Sequence, residues 1–302
     1  MRGRGLSRIV LFGAHGQLGS EFLAQALGAQ WDIVPAPRDL RLEDSEAVGA
    51  FIRQCEPQWV LNAAAMTDVD AAHLDPDRAL RVNGLAPGVL ASTAREVGAR
   101  VIHVSSEAVY DGFSEVPYAE GDACQPVSVY GISKLTGDLL TLTYSPKSFV
   151  LRTSWLYSSQ RGSNFPTRIL NQLEDPGKKL SVVTDIVGNP TPTALVVKAI
   201  SAILHGQPDP GLYHVCAREP ASKFDWAVEI ATQAGFDPGR ITPVSSDAYP
   251  TVARRPKYVD LDCSKFEATD LLELPTWREA WLSEISTWNS RPGALDPSSA
   301  NT

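Results

Sequence analysis

From residue 8 the chain runs "RIVLFGA" (8–14), an apolar, β-branched stretch ending in small residues, and then takes helical spacing from about Gln17 to Gly28. The alternation repeats. "WDIVPA" (31–36) predicts a second strand and "SEAVGAFIRQCE" (45–56) a helix with Ser45 as its N-cap. "WVLNAAA" (59–65) predicts a third strand, followed by a helical stretch over 76–97. "RVIHVSS" (100–106) predicts a fourth strand, "YGISKLTGDLLTLTY" (130–144) a helix, and "SFVLRTSWLY" (148–157) a fifth strand. Short apolar strands separated by helices read as βαβ units, because parallel strands are covered on both faces and return through helical crossovers. The expected fold class is α/β, a doubly wound parallel sheet.

After residue 158 the rhythm loosens. Helices are predicted at 164–174, 193–205 and 222–235, and strands at "LSVVTD" (180–185) and "GLYHVC" (211–216). Prolines and a glycine punctuate "GNPTP" (188–192), and a loop-rich stretch runs to 263. This predicts a smaller, mixed C-terminal domain. The start "MRGRGLS" and the tail "SRPGALDPSSANT" have the composition of disordered segments, and there is no internal repeat.

Composition narrows the class of function. A chain of 302 residues with 43% hydrophobic and 21% charged side chains can bury a large core. A formal charge of −8 and a pI near 5.2 argue against nucleic acid or an acidic membrane as partner. No apolar run reaches about 18 residues, and the short basic start leads directly into a strand without a signal-peptide core, which predicts a cytoplasmic protein. The four cysteines form neither a CxxC pair nor a disulfide framework. The five histidines are equally scattered, so no protein-built metal site is assigned.

"GAHGQLG" (13–19) places Gly-x-x-Gly-x-x-Gly between the first strand and the first helix. In that context Gly13 permits the tight turn, Gly16 lets backbone approach a pyrophosphate, and Gly19 allows close packing of helix on strand. The fold is therefore expected to be of Rossmann type and to bind a nicotinamide dinucleotide. The second strand runs into "PAPRDL": Arg38 suits the 2′-phosphate of NADPH, while the adjacent Asp39 keeps NADH open. Ala63, Ala64 and Ala65 at the end of the third strand leave room for the cofactor to lie against backbone.

The fourth strand ends in "VSSEAVYDG" (104–112), and the following helix carries Tyr130 and Lys134 four residues apart. In a doubly wound sheet strand ends and helix starts converge over the ligand crevice, so a Ser, a Tyr and a Lys can meet there. A cation near a phenol favours the phenolate, which is expected to lower the Tyr130 pKa and tune it as a general acid for a ketone oxygen. Strand alternation favours Ser106 over Ser105 as the hydroxyl that polarises the carbonyl.

Seven blocks in order, "GAHGQLG", "LNAAAMTDVD", "VYGISKLTGD", "LRTSWLY", "LSVVTDIVGNPTPT", "GLYHV" and "ARRPKYVDLD", make the chain resemble the extended short-chain dehydrogenase/reductases, and most closely the dTDP-4-dehydrorhamnose reductase family. The resemblance implies NADPH-dependent (or NADH-dependent) reduction of the C4 ketone of a dTDP-linked 6-deoxy-4-keto-hexose. It implies a catalytic trio of Ser106, Tyr130 and Lys134. Gly16, Gln17, Leu18, Arg41, Leu42, Ala63, Ala64, Ala65, Tyr130 and Lys134 would line the cofactor. Val69, Ser106, Glu107 and Trp155 would meet the sugar, and Arg254 or Arg255 the diphosphate or nucleotide. The implied division is a dinucleotide-binding domain over 1–158 with elements returning to it within about 186–216, a mainly substrate-binding domain over 159–290, and a tail over 291–302.

The chain also departs from the family pattern. Ser105-Ser106-Glu107-Ala108-Val109-Tyr110 stands where the family reads Ser-Thr-Asp-Tyr-Val-Phe, which reshapes the sugar site. Relatives with a magnesium ion at a dimer contact carry a Glu where this chain has Ala194, although Glu21 is kept, so a homodimer is open and no metal is assigned. Two other readings share the fold: a nucleotide-sugar epimerase or dehydratase retaining NAD, and a non-catalytic regulatory subunit.

Overall fold

The computed structural model describes residues 7–26, 31–159 and 164–289; the expected disorder of residues 1–6 and of the tail lies outside the described residues. Six strands form one parallel sheet: β1 (Ser7–Phe12), β2 (Trp31–Pro35), β3 (Trp59–Asn62), β4 (Arg100–Ser106), β5 (Phe149–Thr153) and β6 (Gly211–His214). Their order across the sheet is β6-β5-β4-β3-β1-β2. Along β1, Ile9 and Leu11 enter one hydrophobic core and Val10 and Phe12 the other, so both faces are covered. Each such side chain, fully buried, stabilises the fold by about 1.5–3 kcal/mol relative to exposure. This is the doubly wound, Rossmann-type arrangement. The chain reverses its direction of winding between β1 and β3, which opens a crevice beyond their carboxyl ends.

Several elements differ from the sequence reading for identifiable reasons. Asp44, not Ser45, caps the helix Ser45–Cys55, its side chain accepting from the Ala47 N–H. The single helix expected over 76–97 is three pieces: Pro76–Ala79, a wider turn over Leu80–Leu85 in which the Ala86 N–H bonds to the Arg81 carbonyl, and Ala86–Glu96. Pro87 has no N–H to return to Asn83 four residues before it, so regular α winding cannot pass through that point. "SFVLRTSWLY" is broken at Trp155, whose φ of 42° is left-handed, leaving β5 and a two-residue strand Leu156–Tyr157. Leu156–Tyr157 pairs with Thr191–Pro192.

In the second half, Leu180–Val183 pairs with Ile241–Val244, a strand inside the stretch expected to be loop, and Val187–Gly188 pairs with Ala221–Ser222. The helix Trp277–Asn289, absent from the sequence reading, seats Trp277 and Trp281 in the same core as β1 and β5. Among the described residues no helix is long and apolar enough to cross a membrane.

Candidate active site

A cavity of about 600 Å³ opens over the carboxyl ends of β1, β3, β4 and β5. Its floor at one end is the glycine turn. A Cβ on Gly13, itself at φ +83°, would stand 2.6 Å from Ala63 backbone, and one on Gly19 would stand 2.1 Å from the Gly13 carbonyl oxygen. Gly13 and Gly19 therefore hold the turn against β3 and against the helix Gln17–Ala26. Gly16 does neither, for its Cβ position meets only the Gly13 oxygen at 3.4 Å, and Gly16 faces the cavity beside Gln17 and Leu18. Asn164 ties this end to the second half of the chain: its amide donates to Gln17 Oε1 at 3.1 Å while its own Oδ1 caps the helix Phe165–Leu173.

The opposite wall carries Ser106, Glu107, Tyr130 and Lys134. The helix Val129–Tyr144, capped by Ser128 Oγ, lies close against the turn after β4 and the wide turn Leu80–Leu85 because two of its residues lack side chains. A Cβ on Gly131 would meet the Ala108 carbonyl at 2.1 Å, and one on Gly137 the Asn83 carbonyl at 2.3 Å. Asn83, buried in the wide turn, donates to the Met66 carbonyl and to Ser133 Oγ and accepts from the Met66 N–H. Ser133 Oγ in turn donates to the Tyr130 carbonyl at 2.7 Å. The loop after β3 is thereby fastened to the turn of helix that presents Tyr130.

Lys134 is 1% exposed, and its Nζ donates to the Val104 carbonyl at 2.8 Å. Burial draws its pKa down to about 8, with Asp138 working the other way. Asp138, one turn on, makes a buried ion pair with Arg152 at 2.9 Å. The phenol of Tyr130 does not show the lowering expected from Lys134. Burial, and secondarily the Glu107 charge, push it well up, while the Ser106 hydroxyl works the other way. The physical reason is that the Lys134 ammonium is turned onto the Val104 carbonyl and burial outweighs it. Tyr130 is therefore a neutral proton donor, which is the form a general acid requires. Ser106 Oγ donates to Glu107 Oε2 at 2.8 Å and accepts from the Ala108 N–H at 3.2 Å. Burial pushes the Glu107 carboxyl up, opposed first by its bond from Ser106.

Of the residues singled out in the sequence, Gly13, Gly16, Gln17, Leu18, Ala63, Ala64, Ala65, Val69, Ser106, Glu107, Tyr130, Lys134 and Trp155 border this one cavity. Gly19 does not, being the packing glycine. Arg38 is exposed just past the end of β2, Arg41 is held by Glu43 at 3.3 Å, and Leu42 packs on the core beneath. The two arginines of "ARRP" stand elsewhere: Arg254 is exposed, and Arg255 is bound to both oxygens of Asp70. The cations that do reach the cavity are Lys134, Arg168 and Lys223. Arg168 and Lys223 belong to helices of the second half, whose approach no local pattern in the sequence announces. Among the described residues no three His, Cys, Asp or Glu side chains are grouped to hold a metal.

A cavity that joins a glycine turn to a buried Ser, Tyr and Lys is suited to reducing a carbonyl with a dinucleotide cofactor. Comparison with known proteins agrees. The family model described as the RmlD substrate binding domain matches residues 7–288. The dTDP-4-dehydrorhamnose reductase of Mycolicibacterium smegmatis is 35% identical over 275 residues, covering 90% of this chain and 83% of that protein. The enzyme of the same name from Escherichia coli is 35% identical over 298 residues, covering 92% and 98%. The crystal structure of dTDP-4-dehydrorhamnose reductase from Bacillus anthracis in complex with NADP superposes with a TM-score of 0.87 at 28% identity, covering 93% of this chain and 99% of that one. With the family model spanning nearly the whole described chain and the fold shared throughout, the protein belongs to the RmlD family, that of the dTDP-4-dehydrorhamnose reductases.

Proposed function

We propose that the protein is an NADPH-dependent oxidoreductase that reduces the C4 ketone of a dTDP-linked 4-keto-6-deoxy-hexose, dTDP-4-dehydro-L-rhamnose to dTDP-L-rhamnose or a close variant. The observation that carries this is the neutral, buried phenol of Tyr130 beside the Ser106 hydroxyl, in one cavity with the glycine turn. The relatives' names supply the substrate class, and the NADP held by the Bacillus anthracis structure supports the cofactor. The residues fit that group: Gly16 faces the cavity at the start of a helix, Ala63 to Ala65 present small side chains beside it, and Arg38 and Arg41, exposed past β2, are the cations that would pair with a 2′-phosphate. When bound, NADPH supplies the hydride.

Tyr130 gives its phenolic proton to the ketone oxygen as charge develops there, and Ser106 donates a hydrogen bond to the same oxygen once its hydroxyl turns from Glu107. Lys134 would hold the cofactor ribose, and its charge would favour the phenolate that remains. Val69 and Trp155 bound the sugar, and Arg168, rather than Arg254 or Arg255, is assigned to the diphosphate. In this reading the protein acts in the cytoplasm, where its free cysteines stay reduced, and Leu85, Ile132 and Leu139, about half exposed, form the face on which a homodimer would close.

The test is to mix the purified protein with NADPH and dTDP-4-dehydro-L-rhamnose, follow loss of the reduced cofactor, and read product stereochemistry at C4 by NMR. Stoichiometric oxidation of NADPH is expected. An epimerase, a dehydratase or a regulatory subunit would consume none, and that result would refute the assignment.

A further inference from the structure

Lys223 is the first residue of the helix Lys223–Gln233, capped by Ser222, and it projects into the sugar end of the cavity. Its Nζ lies 3.2 Å from the centroid of the Trp155 ring, 4.8 Å from that of Phe165 and 4.9 Å from that of Trp226. Among the described residues no carboxylate comes within ion-pair distance of it, and no acceptor takes its protons. Burial holds its pKa well below the usual lysine range, opposed by the Glu107 carboxylate, while the Arg168 charge adds to the lowering. Glu107 has given one oxygen, Oε2, to the Ser106 hydroxyl, and it lines the same cavity as Lys223. The Lys223 amino group and the Glu107 carboxyl thus flank the space next to Ser106 without closing on each other.

Ring faces make up only part of the hydration that a lysine head loses among them. The site is complete when a ligand supplies an acceptor to Lys223 and a donor to Glu107. A hydroxyl is the group on a neutral ketosugar that does both; a ring or keto oxygen only accepts, and a methyl or methylene does neither. A diphosphate would satisfy Lys223 but would meet the Glu107 charge. We infer that Lys223, with Glu107, is a specificity-determining residue that brackets one hydroxyl of the ketosugar, so that the enzyme rejects the analogue deoxygenated at that carbon. The inference rests on the reading that this cavity holds the ketosugar of a reductase.

The experiment compares kcat/KM for the dTDP-4-keto-6-deoxy-hexose with its 2-deoxy and 3-deoxy analogues, in the wild type, Lys223→Met and Lys223→Gln. A site built to bond a hydroxyl discriminates strongly against its absence, so the wild type is expected to lose on the order of 100-fold or more on one analogue. Each variant is expected to close that gap to within about tenfold, by losing rate on the parent substrate while the analogue stays where it was. NADPH affinity, by fluorescence titration, shows whether each variant is folded, and two replacements of different shape guard against one that is not. Variants that bind NADPH and keep the wild-type discrimination overturn the inference. So does an equal loss of inhibition by dTDP alone, which would assign Lys223 to the diphosphate. A wild type that oxidises no NADPH with the parent substrate overturns the functional reading and this inference with it, a result distinct from an active enzyme whose discrimination survives.

Discussion

The hydroxyl of Ser106 is donated to Glu107 Oε2 at 2.8 Å, so the group assigned to polarise the ketone is held in readiness by its own neighbour. Exchange of that bond for one to the substrate oxygen is a rotation about a single side-chain torsion. Removing the donor with Ser106→Ala should lower kcat by about 10²–10³-fold, the cost of one oxyanion-hole donor. Because Ser106 Oγ also accepts from the Ala108 N–H, the same change should cost about 1 kcal/mol of stability. Ser106→Thr keeps the hydroxyl and should recover most of the rate. Steady-state kinetics of both variants, with urea unfolding, checks this; a fully active Ser106→Ala enzyme would remove Ser106 from the chemistry.

Tyr130→Phe removes the proton donor and leaves the helix in place, since the backbone carbonyl of Tyr130 keeps its bond from Ser133. The expected result is a fall in kcat of about 10²–10⁴-fold with NADPH affinity nearly unchanged. Single-turnover kinetics and a fluorescence titration separate the two quantities.

Lys134 predicts a conflict between activity and stability. Burial lowers its pKa from 10.5 to about 8, so between those values the unfolded chain keeps a proton that the native state has released. Stability therefore rises with pH across that window, and below pH 8 the burial cost is present in full. Lys134→Met should relieve up to about 3 kcal/mol of that cost at neutral pH, less whatever Asp138 loses with its neighbouring cation. The gain over the wild type should shrink as pH approaches 10.5. The variant should at the same time lose on the order of 100-fold in kcat/KM, by analogy with other charge-stabilising groups. Denaturation midpoints at several pH values test the first part; a stability difference that grows with pH would contradict the sign.

These residues were legible in the sequence because each rests on a short-range rule. Gly13, Gly16 and Gly19 follow from strand, turn and helix in succession, and Tyr130 and Lys134 from one helical turn. Their meeting with Ser106 follows from the crevice that any doubly wound sheet opens beyond its strand ends. Arg168 and Lys223 were not legible, because they reach the cavity from helices that follow β5 and are placed by packing over long sequence separations. "ARRP" shows the complementary limit: the pattern gives two arginines but not Asp70, which takes Arg255 through both carboxylate oxygens. Asn83 had a local signal in Pro87, four residues on, which cannot continue a regular helix and so marks the wide turn where Asn83 sits.

Trp155 gives the last prediction, because it is held in an unusual backbone state by a partner that has no side chain. Its φ of 42° is left-handed, a conformation that a tryptophan keeps only when its surroundings enforce it. The ring stacks on Trp226 with centroids 5.9 Å apart and carries the Lys223 ammonium on its face. Behind it is Gly188, where a Cβ would stand 2.6 Å from the ring atom Cε2 and 2.8 Å from Nε1. Gly188→Ala must therefore displace the indole, and with it the wall of the sugar subsite and the seat of Lys223. Overpacking of this kind costs about 1–3 kcal/mol in stability. The functional loss should appear in KM for the keto sugar, with NADPH affinity intact, because the glycine turn lies at the other end of the cavity. Intrinsic tryptophan fluorescence should shift in the same variant as the Trp155 and Trp226 rings separate. If KM and fluorescence both stay at wild-type values, Trp155 does not form the wall on which the sugar rests.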